Sequence, residues 1–181
     1  GRKCGIHASQ SSNLVMLEQP SVAACVPNRD VMLNGVHSER GNTEATTVMV
    51  GSASGSGVPT QAVVKVWSNN GNPAPIVLPS NGMLHDVVSD GAGTWVAVGE
   101  RTIFGFKVGV VYRSTDDGAT WTLGSLPQQG ATPLHSVTWQ APNLVAVGDS
   151  GNVVVSTDGA NWTATGSPNA SSTLRSVAGV N

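Results

Sequence analysis

Two stretches of this chain repeat a turn that leaves the backbone little choice. Ser114-Thr115-Asp116-Asp117-Gly118-Ala119-Thr120-Trp121 has the form Ser-x-Asp-x-Gly-x-Thr-Trp, and it returns one residue shorter as Ser156-Thr157-Asp158-Gly159-Ala160-Asn161-Trp162. An Asp side chain is short enough to accept hydrogen bonds from backbone N–H groups just ahead of it, and a Ser hydroxyl assists. Gly118 and Gly159 supply the positive φ that such a turn needs. The closing Trp can fold back over its hairpin, where truncating a buried ring costs roughly 3–5 kcal/mol. Each copy follows a valine-rich run, Val108–Arg113 before the first and Asn152–Val155 before the second. Two β-hairpins of one design are predicted.

The strands around these turns recur too. Leu33-Asn34-Gly35-Val36, Leu84-His85-Asp86-Val87, Leu134-His135-Ser136-Val137 and Leu174-Arg175-Ser176-Val177 open four units, 51, 50 and 40 residues apart. The first three continue into a second apolar strand that ends in glycine: Val48–Gly51, Val96–Gly99 and Val145–Gly148. A third strand leads into the turn and a fourth follows it. Charged residues are only 11% of the chain, and no stretch carries the charged and apolar faces of an amphipathic helix. Four short strands per unit predict an all-β protein made of four-stranded antiparallel propeller blades.

The units are read as 33–83, 84–133 and 134–173, within a single domain. Residues 1–32 form a degenerate repeat segment and 174–181 a closing strand. In the first unit the turn is worn: Ser68-Asn69-Asn70-Gly71 has Asn70 where Asp is expected, and Pro73 stands where Trp would be. Asn13–Leu17 parallels Asn143–Val147, and its pairing with Leu174–Val180 would close a ring of four blades. The alternative is a slice of a larger propeller, a reading favoured if Ile6-His7 opens a unit of its own. The excess length of the first two units lies between their second and third strands. Ser52–Gly57 reads as a mobile Ser/Gly loop. Arg101–Gly109 holds both phenylalanines, and strict alternation puts Phe104 and Phe106 on one face of a protruding hairpin.

The turn and the strand ahead of it resemble the Asp-box repeat of sialidase-type (BNR) β-propellers. The nearest likeness is to non-catalytic members such as the photosystem II assembly-factor propellers. That resemblance covers residues 33–181 well and 1–32 poorly. It implies a structural role on the propeller rim for Ser114, Asp116, Gly118, Thr120, Trp121, Ser156, Asp158, Gly159 and Trp162. A sialidase would also show a Phe/Tyr-Arg-Ile-Pro motif, an arginine cluster and a tyrosine nucleophile with a glutamate partner. The motif is absent, and the single tyrosine, Tyr112, aligns with Val66 and Val154 at a packed strand position. No catalytic residue, metal site or cofactor is expected. The alternative class is a fragment of a sialidase-like glycosidase with its catalytic blades outside this chain.

Candidate binding residues stand where the repeat is broken or chemically loaded. His85 and His135 occupy equivalent positions on first strands, which line the channel of a propeller. Their counterparts Asn34 and Arg175 do not complete a metal site. Trp139 has Ser38, Ser89 and Gly179 as equivalents, so the fold does not demand an aromatic there. Phe104 and Phe106 lie in an insertion that the third unit does without. The net charge of −2 and the scattered Lys and Arg leave no footprint for nucleic acid. No apolar run is long enough for membrane insertion as a helix. Cys4 and Cys25 are a possible disulfide, consistent with an extracellular or periplasmic setting and a processed N-terminus. The expected partner is a protein or glycan, with other copies of the chain as a further choice.

Overall fold

A computed structural model describes residues 6–8, 26, 29–40, 45–68, 74–128, 131–165 and 171–179. They form twelve strands, and all but the first make up three four-stranded antiparallel units, the first two of which share one long strand. The first unit is β2 (Asp30–Arg40), β3 (Ala45–Gly55), β4 (Val58–Ser68) and the start of β5 (Ile76–Ser89). The second is the remainder of β5 with β6 (Trp95–Ile103), β7 (Phe106–Ser114) and the short β8 (Thr122–Leu123). The third is β9 (Leu134–Gln140), β10 (Asn143–Gly148), β11 (Val153–Ser156) and β12 (Thr163–Ala164). Strand β1 (Ile6–Ala8) lies parallel to the start of β2. No helix among the described residues is long and apolar enough to cross a membrane.

The second unit is covered on both faces, which explains why its strands read as apolar runs. On β6, Trp95 and Ala97 face the first unit, packing with Val48, Val50, Val64 and Leu84. Val96 and Val98 face the third, against Leu134, Leu144, Ala146 and Val154. The period of two along a strand sends alternate side chains to two different cores. Tyr112 belongs to the first of these cores, where its hydroxyl is hydrogen-bonded to Ser80 Oγ.

The repeat is visible in the backbone as one irregularity made three times. In each first strand the residue after the opening leucine is an extra one, left unpaired as a β-bulge: Asn34, His85 and His135. Opposite each bulge stands a glycine of the second strand, inside β3 and β6 and at the end of β10. A Cβ on Gly51, Gly99 or Gly148 would lie 1.8, 2.1 or 2.0 Å from the carbonyl oxygen of Met32, Met83 or Pro133. No side chain fits there.

The two Ser-x-Asp turns join units as well as closing hairpins. Ser114 Oγ accepts from Gly118 N–H, and Asp116 accepts from the Thr120 N–H and hydroxyl. Ser156 and Asp158 repeat this with the N–H groups of Gly159, Ala160 and Asn161. Gly118 sits against Val48 and Val66 of the first unit, and Gly159 against Val96 and Arg113 of the second. Each turn is seated on the unit before it. Trp162 is buried at 4% exposure, whereas Trp121 is half-buried, and each indole N–H donates to its own turn glycine carbonyl.

Three expectations change. Ser52–Gly57 is not a loop: β3 and β4 continue to Gly55 and Val58 around a Ser56-Gly57 turn. Ser52 and Ala53 are buried, small enough to fit between neighbouring layers. Phe104 is not on a strand face, since it forms the turn itself with Gly105, and only Phe106 is in the ladder, opposite Ile103. Residues 174–179 form no strand ladder among the described residues. They run beside β9, with Leu174 N–H on the Gly148 carbonyl, Val177 N–H on Ser136 Oγ and Gly179 N–H on Thr138 Oγ1. Asn13–Leu17, the worn turn at 69–73, Cys4 and Cys25 lie outside the described residues.

Gly99→Ala is expected to destabilise the protein by at least ~2 kcal/mol in urea unfolding, because the added methyl meets backbone and not a movable side chain. Trp162→Ala is expected to cost roughly 3–5 kcal/mol and Trp121→Ala clearly less, in line with their different burial.

Candidate functional site

One end of the molecule gathers the bulges, the turns between second and third strands, and both phenylalanines. Asn81 pairs with Gln61, near the tip of the β3–β4 hairpin, and the next residue, Gly82, pairs with Arg101 near the tip of β6–β7. Both hairpins therefore point the same way. The third unit has no such extension, because Gly148 leads directly into a 3₁₀ turn at Asp149–Gly151.

The bulges bring the histidines together at this end. The His85 and His135 rings are 5.3 Å apart between centres and tilted by 51°. His135 Nε2 is 2.8 Å from Asp149 Oδ1, which also accepts from Thr173 Oγ1 at 3.0 Å. His85 Nε2 is buried without a hydrogen bond, 3.9 Å from Glu100 Oε2. Glu100, itself buried, is paired with Lys107 on the opposite strand of the aromatic hairpin. Asn34, the third bulge residue, donates to the Leu84 carbonyl at 2.9 Å. Among the described residues no group of three His, Cys, Asp or Glu side chains is placed to hold a metal ion.

Burial holds the His85 pKa below the ordinary histidine value, and the neighbouring His135 and Lys107 add to this against the opposing pull of Glu100. The hydrogen bond from His135, with that of Thr173, holds Asp149 below the usual carboxylate range. The arrangement is a pair of imidazoles flanked by the Glu100 and Asp149 carboxylates. It can orient hydrogen bonds toward a bound group, but it contains no nucleophile beside a base.

The first strands are latched in series just behind this cluster. Asp86 accepts from Ser136 Oγ at 2.8 Å and from Val137 N–H at 3.0 Å, and Ser136 Oγ in turn accepts from Val177 N–H at 3.3 Å. Gly35 fills the equivalent place in the first unit, where a Cβ would lie 2.8 Å from the Asp86 Cα.

The aromatic hairpin stands apart from all of this packing. Phe104 is 97% exposed and Phe106 75%, with Ile103 beside them at 37%. The tip does not fold back over its own unit. Trp139, by contrast, is half-buried against the core between the second and third units, which gives it a packing role.

Several contributors were not singled out from the sequence. Asp86, Glu100, Lys107 and Asp149 come from separate strands and turns, and no local pattern ties them together. Ser89–Trp95 did carry a readable signal. Ser89, Asp90, Gly91, Thr94 and Trp95 spell a further Ser-Asp-Gly turn ending in Thr-Trp, in which Asp90 accepts from the Ala92 and Thr94 N–H groups. Trp95 is fully buried and meets the His37 ring edge to face at 5.7 Å.

No protein-family model matches the chain, and no curated protein matches it. Among solved structures the chain is similar to YCF48 from Cyanidioschyzon merolae, with 18% identity and a TM-score of 0.47. The likeness covers 78% of this chain and 38% of that one, so the chain spans well under half the length of that protein.

The buried histidines make stability depend on pH. Burial lowers the pKa of His85 and of His37, so below about pH 6.5 the unfolded chain takes up protons that the folded one resists. Stability is therefore complete above that value and falls as the pH drops. The melting temperature is expected to decline from about pH 7.5 to about pH 5.5. His85→Gln and His37→Gln should each flatten that decline.

Proposed function

We propose that this chain is a non-catalytic interaction module of the Asp-box propeller type, working outside the cytoplasm. It docks through the end that carries the paired histidines and the aromatic hairpin, on a protein or glycan partner or a further copy, without turning over what it binds. The observation that carries this reading is Phe104. Its φ of 49°, followed by 84° at Gly105, has the positive values that a type I′ turn requires at both centres. Asn-Gly is the usual choice there, and a bulky residue costs about 1 kcal/mol. Among the described residues nothing offsets that cost, because the ring is 97% exposed. Aromatic anchors of this sort dominate many interfaces.

The alternative of a sialidase-like glycosidase with its catalytic blades outside this chain would not draw its nucleophile from Tyr112. Tyr112 is 1% exposed and engaged with Ser80 in the core.

Phe104→Ser/Phe106→Ser is expected to abolish docking or self-association while leaving the melting temperature unchanged. A large drop in stability with association intact would make the rings core and defeat the proposal. Phe104→Asn separates the two effects further: it is expected to raise stability by about 1 kcal/mol and still weaken docking.

A further inference from the structure

We infer that the aromatic hairpin is a lipid-contacting tip, which enters the interfacial layer of a membrane without spanning it. This rests on the reading of the hairpin as a contact surface. Beyond the Gly99–Val110 pair, β6 and β7 continue for four further residue pairs, ending at Ile103 opposite Phe106. At about 3.3 Å per residue this lifts the turn roughly 13 Å above that pair. β5 flanks β6 as far as the Gly82–Arg101 pair, and the last two pairs, Thr102–Lys107 and Ile103–Phe106, extend past it with the largest apolar groups at the summit.

For the hairpin alone, size favours a lipid occupant over a protein one. A buried aromatic side chain covers roughly 150–250 Å², so two rings and part of an isoleucine fall short of the ~800 Å² that each partner of a stable protein complex contributes. A lipid interface needs no complementary shape and accepts a small convex wedge. The charges agree with this. Residues 101–108 contain no carboxylate, and the nearest, Glu100, is buried and paired with Lys107. The tip therefore carries no exposed anion that entry would have to strip of water. The neighbouring hairpin adds exposed Val58 and Pro59 at the same end. The left-handed Phe104-Gly105 turn keeps the hairpin tight and the Phe104 ring clear of the body.

Lys107 is engaged with Glu100 and Arg101 is the hairpin's other cation, so the contact is mainly apolar in origin. The protein is expected to float with vesicles of pure phosphatidylcholine, and added salt should change this little. Phe104→Ser/Phe106→Ser should lower partitioning by roughly a hundredfold. Phe104→Asn, whose turn is sound, should also weaken it with an unchanged or higher melting temperature. The indole of a Phe104→Trp variant should show a blue-shifted emission on adding vesicles, quenched by brominated acyl chains. Failure of the wild-type protein to float, or an emission from the Phe104→Trp variant that ignores vesicles, overturns the inference. If flotation fails but the double variant loses self-association or protein binding, the interaction module stands and the lipid contact falls. If flotation fails and the double variant only melts earlier, both readings fall.

Discussion

Three glycines pressed against backbone carbonyls set the geometry on which the other features depend. At Gly51, Gly99 and Gly148 the second strand comes so close to the first that a single added carbon would overlap an oxygen. The close approach coincides with an extra residue in the first strand, and that bulge turns one side chain out of the alternating ladder. In two of the three units that residue is histidine. The imidazole pair is thus a by-product of how each unit bends, placed by backbone sterics before any side-chain contact is made.

The units hold together through faces more than through edges. β6 serves two cores at once, with Trp95 and Ala97 on one side and Val96 and Val98 on the other. Burial of this kind has no direction, so register between units needs polar contacts that do. Asp86 and Ser136 supply them along the first strands, and at the opposite end Ser125 supplies them to the Ser156 turn, its N–H donating to the Ala160 carbonyl and its carbonyl accepting from the Trp162 N–H. A turn that reads locally as a hairpin staple is also a joint between neighbours.

Against this economical scaffold the aromatic hairpin is an exception. Its two phenylalanines are the only ones in the chain, and neither adds to a core. Small polar tips would satisfy the same turn with less strain. The hairpin also touches the histidine cluster: Lys107, next to Phe106, pairs with the Glu100 that lies beside His85.

Much of the architecture is legible in the residues alone. Strand order, the equivalence of His85 with His135, and the hydrogen-bonded turns at Ser114 and Ser156 follow from spacing and turn chemistry, which act over a few residues. The same local logic places an extended hairpin at Arg101–Gly109. It does not reveal that Ser52-Ala53 is buried strand, because small residues suit a flexible loop and a tight layer equally well. Nor does it show Phe104 in the turn, since alternation carries no mark of where a hairpin reverses. The partnership of His85 with Glu100 and of His135 with Asp149, and the latch from Asp86 to Val137, join residues 14 to 51 positions apart. Such contacts depend on how whole units stack, and only the tertiary structure decides them.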